Sequence, residues 1–191
     1  LDVNDEASLA TFAEQALKQF PAINIVFNNA GIMQREDISR KTDLAIAELT
    51  LTTNLLGPIR LTNALVDHLV TQPDAAIINT TSGLAFVPWI NTPSYSASKA
   101  ALHSLTISLR EQLRGKVEVI ELAPPAVRTE LTPGQSENEH YMPLDDYAAE
   151  VMTLFAQTPT PDEILVENVR PLRFAERDGQ FDKVLAMVSA F

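Results

Sequence analysis

The chain predicts an α/β fold: a doubly wound parallel sheet with helices on its faces. Short apolar runs rich in β-branched residues recur at 23–27, 75–81 and 116–123, and a weaker one follows at 163–169. Apolar residues at helical spacing fill the stretches between the first three. Strands that alternate with helices pair in parallel, because a parallel crossover needs a connection of about helix length. Size agrees with one domain, since 191 residues of 46% apolar content can bury a proper core.

Each element has its own signal. Residues 5–20 repeat Leu9, Phe12, Ala13, Ala16 and Leu17 on one helical stripe, with acidic residues early, Lys18 late and Pro21 as the stop. "INIVF" at 23–27 reads as a buried strand ended by Asn28, Asn29 and Gly31. The next helical stretch covers about 43–70 and contains Pro58, which has no amide hydrogen, so the Asn54 carbonyl loses its helical partner. That is either a packing kink or an oxygen free to hold a water. "AAIINTT" at 75–81 ends at Ser82, and "KVEVIELA" at 116–123 forms the third strand. Between them runs a helix that Thr92 can cap, with Pro93 at its first position, Arg110 and Arg114 near its end and Gly115 beyond. Residues 130–161 are rich in Pro, Glu, Asn and Asp until "DDYAAEVMTLF", which fits a solvated acidic loop or a mobile lid. "EILVENV" at 163–169 completes the sheet.

Composition excludes several functions. With 25 acidic against 14 basic residues the net charge is −11, so nucleic acid and anionic membranes are not expected partners. No run approaches the roughly 18 apolar residues of a membrane span, and the start carries no secretory signal. There is no cysteine, which removes disulfides, thiolate metal sites and a cysteine nucleophile and fits a cytoplasmic location. His68, His103 and His140 are too far apart for a local metal motif, so no metal is expected.

Tyr95 and Lys99 lie one helical turn apart on the same face. A phenol with pKa near 10 is a poor proton carrier at neutral pH, and an ammonium one turn away is expected to lower that value and make an acid/base of it. Such a pair is also a common surface arrangement. Ser82 adds weight, because it ends a strand of a parallel sheet, where ligands bind.

Taken together, "NNAG" at 28–31, Asn54, Ser82, "YSASK" at 95–99 and "PPAVRT" at 124–129 resemble the short-chain dehydrogenase/reductase family. The order and spacing of the five features carry the resemblance, which runs from Leu1 to about Thr132. The tail "RPLRFAERDGQFDKVLAM" and the Pro-Pro pair also resemble a bacterial branch related to the oxidoreductase of the D-alanine-transfer operon.

The resemblance implies a Rossmann-type domain over 1–191, with the lid at 130–161, that moves hydride between NAD or NADP and an alcohol or carbonyl compound. Tyr95 would be the acid/base. Lys99 would lower its pKa and hold the nicotinamide ribose, while Ser82 orients the substrate oxygen and the Asn54 carbonyl holds a proton-relay water. Asp2, Val3, Asn28, Ala30, Gly31, Val127 and Thr129, together with Tyr95 and Lys99, would line the cofactor. Leu84, Phe86, Trp89, Leu131 and Met142 form a candidate apolar substrate pocket. They serve equally well as core. A homodimer or homotetramer through the catalytic helix and the one before it is implied, and Ala97, Ala100, Ala101, Ser104 and Ser108 permit close approach there or against the sheet.

Two departures stand out. The family's usual Pro-Gly is Pro124-Pro125 here, which stiffens the loop and removes an amide donor. The family's first strand, its glycine-rich pyrophosphate turn and its NAD/NADP-selecting second strand are expected before Leu1, so a longer protein is expected. The alternatives are a non-catalytic dinucleotide-binding sensor or scaffold, which would have lost the tyrosine or lysine, and a sugar-nucleotide epimerase or dehydratase, which would carry a larger C-terminal domain.

Overall fold

Four parallel strands form the centre of the computed structural model, which describes residues 1–190. They are β1 (Ile25–Asn28), β2 (Ala76–Thr80), β3 (Glu118–Leu122) and β4 (Glu163–Ile164), in that spatial order. Val26, Ile77 and Val119 are in register, and so are Phe27, Ile78 and Ile120 one step on. Alternate residues face opposite sides of a sheet, so these two rows feed two cores.

The first core joins Val26, Ile77 and Val119 to Ala13 of α1 (Glu6–Gln19), Leu65 and Leu69 of α3 (Gly57–Leu69) and Leu113 beyond α4 (Pro93–Gln112). The second joins Ile78, Ile120, Leu122 and Ile164 to Val151 of α5 (Leu144–Phe155). Burial on both sides explains why β2 is apolar from Ala76 to Ile78. A third, smaller cluster packs Val87 and Ala175 against Val184 of α7 (Phe181–Ser189), next to the short α6 (Arg170–Arg173). At the sheet edge, β1 leaves Ile25 53% and Phe27 45% exposed.

The stretch read as one helix over 43–70 is α2 (Ala45–Leu51), a π-helical turn (Thr52–Leu56) and α3 in succession. The Gly57 amide reaches back to the Thr52 carbonyl, an i→i+5 bond. This widening lies immediately before Pro58, which opens α3 without an amide to donate, and it carries Asn54 fully inside.

Two expectations need correction. The strand predicted over 163–169 is paired only at Glu163 and Ile164; the chain then turns through Glu167–Val169. Its apolar residues Val166 and Val169 are buried in the second core instead of on a ladder, and the same spacing serves both purposes. Thr92 does not cap α4, and its hydroxyl is buried without a partner. Glu36 takes that role from 58 residues away, accepting the Ser94 amide at 3.2 Å and the Ser94 hydroxyl at 2.8 Å. A carboxylate there also suits the positive end of the helix. No helix among the described residues is long and apolar enough to cross a membrane.

Candidate active site

Side chains four apart on a helix point the same way, so α4 presents Tyr95, Lys99 and His103 on one face. That face meets the C-terminal end of β2. The Lys99 ammonium donates to the Thr80 carbonyl at 2.7 Å, and Ser82 lies close enough to the Tyr95 hydroxyl to act on its pKa. Ser82 also accepts the Leu84 amide at 3.1 Å, capping the turn Gly83–Ala85 and fixing its own rotamer. Asn54 accepts the Ile32 amide at 2.8 Å and donates to the Ile32 carbonyl at 2.9 Å and the Ser98 hydroxyl at 3.1 Å. Its side chain thereby locks the loop after β1 onto α4. The four residues predicted as catalytic therefore come together.

Their electrostatics differ from the expectation. Burial pushes the Tyr95 phenol up to about 12, against an opposing effect of the Ser82 hydrogen bond. Lys99 is pulled down to about 8 by burial. Its ammonium lies 5.7 Å from the Tyr95 ring centre and spends its bond on Thr80, so desolvation outweighs the attraction that the one-turn spacing suggested. The consequence is chemical. At neutral pH Tyr95 therefore keeps its proton beside a cationic Lys99, as a weaker acid than a free phenol.

A cavity of about 550 Å³ opens over Ser82 and Tyr95. Leu84, Trp89, Leu131 and Met142, four of the five apolar candidates, are among its lining residues. Phe86 is not: it packs edge-on against His103 at 5.0 Å and carries the Arg173 guanidinium at 4.8 Å. Sequence reading missed Met33 and Tyr141, and also Leu172, Met187 and Val188 from the C-terminal helices. The apolar stripe of "FDKVLAMV" was the available signal for that last wall.

The residues predicted for the cofactor fall into three groups. Asp2 and Val3 sit beside the π turn: the Asp2 carboxylate accepts the Asn4 amide at 2.9 Å, and Val3 packs on Gly57. At the end of β1, the Asn28 side chain turns into the core, donating to Asn79 at 2.8 Å and to Thr62 at 3.4 Å, while Ala30 is exposed. Gly31 lies closest to the catalytic groups, since a Cβ there would stand 3.4 Å from Asn54 Oδ1 and 3.5 Å from Lys99 Nζ. After β3, Val127 and Thr129 are tied to Gln135, whose side-chain amide donates to the Val127 carbonyl at 2.8 Å and the Thr129 hydroxyl at 3.3 Å.

Comparison with known proteins shows the family and the fold. A family model described as short chain dehydrogenase matches residues 1–140. The chain is 45% identical over 132 residues to the uncharacterized oxidoreductase DltE of Bacillus subtilis, covering 68% of this chain and 52% of that protein. It is 31% identical over 134 residues to sulfoacetaldehyde reductase 2 of Chromohalobacter salexigens, covering 69% and 53% respectively. The chain thus spans about half the length of the curated relatives it matches. A short chain dehydrogenase from Burkholderia cenocepacia J2315, solved in complex with NADP, superposes with a TM-score of 0.81 at 22% identity, over 98% of this chain and 78% of that one, and shares its fold. A match over most of the chain, on a parallel sheet whose β2 end and α4 gather Ser82, Tyr95 and Lys99, places the protein in the short chain dehydrogenase family, in the branch related to DltE.

Proposed function

We propose that the protein is an oxidoreductase that moves hydride between a nicotinamide dinucleotide and an alcohol or carbonyl compound. The observation that carries this reading is a buried Tyr95 that lines an apolar cavity together with Ser82, with the Lys99 ammonium 5.7 Å from its ring centre. In reduction Tyr95 gives its proton to the carbonyl oxygen, which Ser82 orients; in oxidation it takes the proton back. The dinucleotide supplies or receives the hydride.

The chain's own residues fit such a cofactor. Lys99 is 3% exposed and has three N–H donors, yet among the described residues its one hydrogen-bond acceptor is the Thr80 carbonyl. A ribose hydroxyl would satisfy the rest. Gly31 leaves open the space beside Lys99. Asp2, Val3, Asn28, Ala30, Gly31, Val127 and Thr129 would hold the remainder, as NAD or NADP. The Asn54 carbonyl, next to the π turn, would hold the water that passes protons to Lys99. Gly31→Ala should fold normally, because the added methyl meets only ordinary contacts, while weakening NADPH binding by about tenfold. Isothermal titration together with Tm measures both; unchanged affinity contradicts the placement.

Substrate choice follows from the cavity wall, where among the described residues Glu167 is the sole permanently charged one and neither Lys nor Arg takes part. A neutral, lipophilic carbonyl is favoured over an anionic one. Residues 130–161 act as the cover, contributing Leu131, Gln135, Tyr141 and Met142. Exposed Ala97, Ser104 and Ser108 on α4, beside exposed Leu49, Leu56 and Ile107, support a homo-oligomer. The direct test is benzaldehyde against 4-carboxybenzaldehyde with NADH and with NADPH. We expect kcat/KM at least about tenfold higher for the neutral aldehyde. Preference for the carboxylate overturns the substrate class, and absence of hydride transfer while cofactor still binds overturns the reaction.

A further inference from the structure

The sheet carries a polar row. Asn28, Asn79, Glu121 and Glu163 are in register across all four strands, one on each. Every member has a partner. Asn28 donates to Asn79 and to Thr62 of α3; Asn79 donates to Thr106 of α4 at 2.9 Å. Glu121 accepts the Thr81 hydroxyl at 2.6 Å and bonds His103 Nδ1 at 2.7 Å, and Glu163 is gripped through both oxygens by Arg173 at 2.8 Å.

Glu121 is the anomaly in that row. It is 0% exposed, and burying a carboxylate is expensive enough that an apolar residue of like volume would often serve the fold as well or better. His103, Glu121 and Glu163 have donor atoms within 4.8 Å of one another, as a cation site would. Arg173, Thr81 and His103 already occupy all four carboxylate oxygens, however, so the cluster is complete without an ion.

Its location gives the better reading. Three consecutive residues at the end of β2 each meet one face of α4: Thr80 is bonded by Lys99, Ser82 lies beside Tyr95, and Thr81, between them, is tied through Glu121 to His103. The outer two contacts are made by the reacting groups themselves. The middle one does not line the cavity and is free to set the distance.

We propose that Glu121 is a positioning residue: with Thr81 and His103 it forms a strut that holds the β2 end and α4 at the spacing where Ser82, Tyr95 and Lys99 meet. This rests on the acid/base reading above. Thr81→Val, which keeps the shape and removes only the hydroxyl, cuts the strut. In the whole protein with benzaldehyde and NADPH it lowers kcat by about tenfold, while NADPH affinity stays within about twofold. Thr81→Ser, which restores the hydroxyl, restores kcat.

A second readout needs no turnover. The Lys99 ammonium, which titrates at about 8, is followed by nuclear magnetic resonance with 15N-lysine, using Lys99→Met to assign it. In Thr81→Val the Thr80 carbonyl drifts from the ammonium, and the Lys99 midpoint falls. An unchanged kcat together with an unchanged Lys99 midpoint overturns the strut, as does a loss that Thr81→Ser fails to restore. Should the wild type itself not reduce benzaldehyde, the acid/base reading fails, and the Lys99 titration alone decides the strut.

Discussion

Tyr95→Phe is expected to lower kcat on the order of 10³-fold, with cofactor affinity nearly unchanged. The substitution removes one oxygen and keeps the ring that packs beside Ser82 and Lys99. The oxygen belongs to a buried residue that lines the cavity beside Ser82, while Lys99 is turned to the Thr80 carbonyl and the Ser82 hydroxyl is a far weaker acid than a phenol. The fold should tolerate the change, because Ser82 keeps the Leu84 amide as a partner. Steady-state kinetics beside NADPH titration and a Tm measurement separate the outcomes. Retained turnover would remove Tyr95 from the reaction.

Lys99→Met is expected to have the opposite effects on activity and stability. The folded protein holds Lys99 at about 8, well below the 10.5 of an exposed lysine, because burial disfavours the ammonium. Between those values the unfolded chain binds the extra proton, so the stability contributed by this group rises with pH across the window from about 8 to 10.5. At pH 7 the whole penalty, about 3 kcal/mol, acts against the fold. Methionine fills similar space without the charge, though it leaves the Thr80 carbonyl short of a donor, which costs about 1–2 kcal/mol. The net gain at pH 7 is about 1–2 kcal/mol, a rise of a few degrees in Tm, and it turns into a loss of about 1 kcal/mol by pH 10.5, where the penalty is gone and the missing donor remains. Turnover should fall about 10²-fold or more, with weaker NADPH binding, since the group that would meet the ribose is gone. Thermal unfolding at pH 7 and pH 10 checks the first part. A lower Tm at pH 7 contradicts it.

The parallel sheet was legible because strands buried on both faces must be apolar throughout, and runs such as "AIIN" have no other use. The clustering of the candidate set was legible because one helix and one strand end hold most of it, so local spacing puts Tyr95 and Lys99 on one face and a strand boundary puts Ser82 near them. What escaped depends on contacts across the chain. Glu36 caps α4 over a separation that no local motif reveals, leaving Thr92 idle. The row from Asn28 to Glu163 exists only once the register of four strands is set. Phe86 was assigned to the cavity on hydrophobicity alone, whereas its position under Arg173 depends on a helix some 85 residues later in the chain. The direction of the Tyr95 shift escaped for another reason. Spacing reports which charge is near and says nothing of how far water is excluded, and here exclusion dominates.

Deuterium transfer tests the central claim most directly. The protein is incubated with benzaldehyde and NADPH carrying deuterium at the transferable position of the nicotinamide, and the alcohol is analysed by mass spectrometry. Wild type should place one deuterium on the carbinol carbon, and Tyr95→Phe, with cofactor equally bound, should yield essentially none. Equal labelling by the two proteins, or no labelling by a wild type that binds NADPH, would contradict proton donation by Tyr95 as the chemistry of this site.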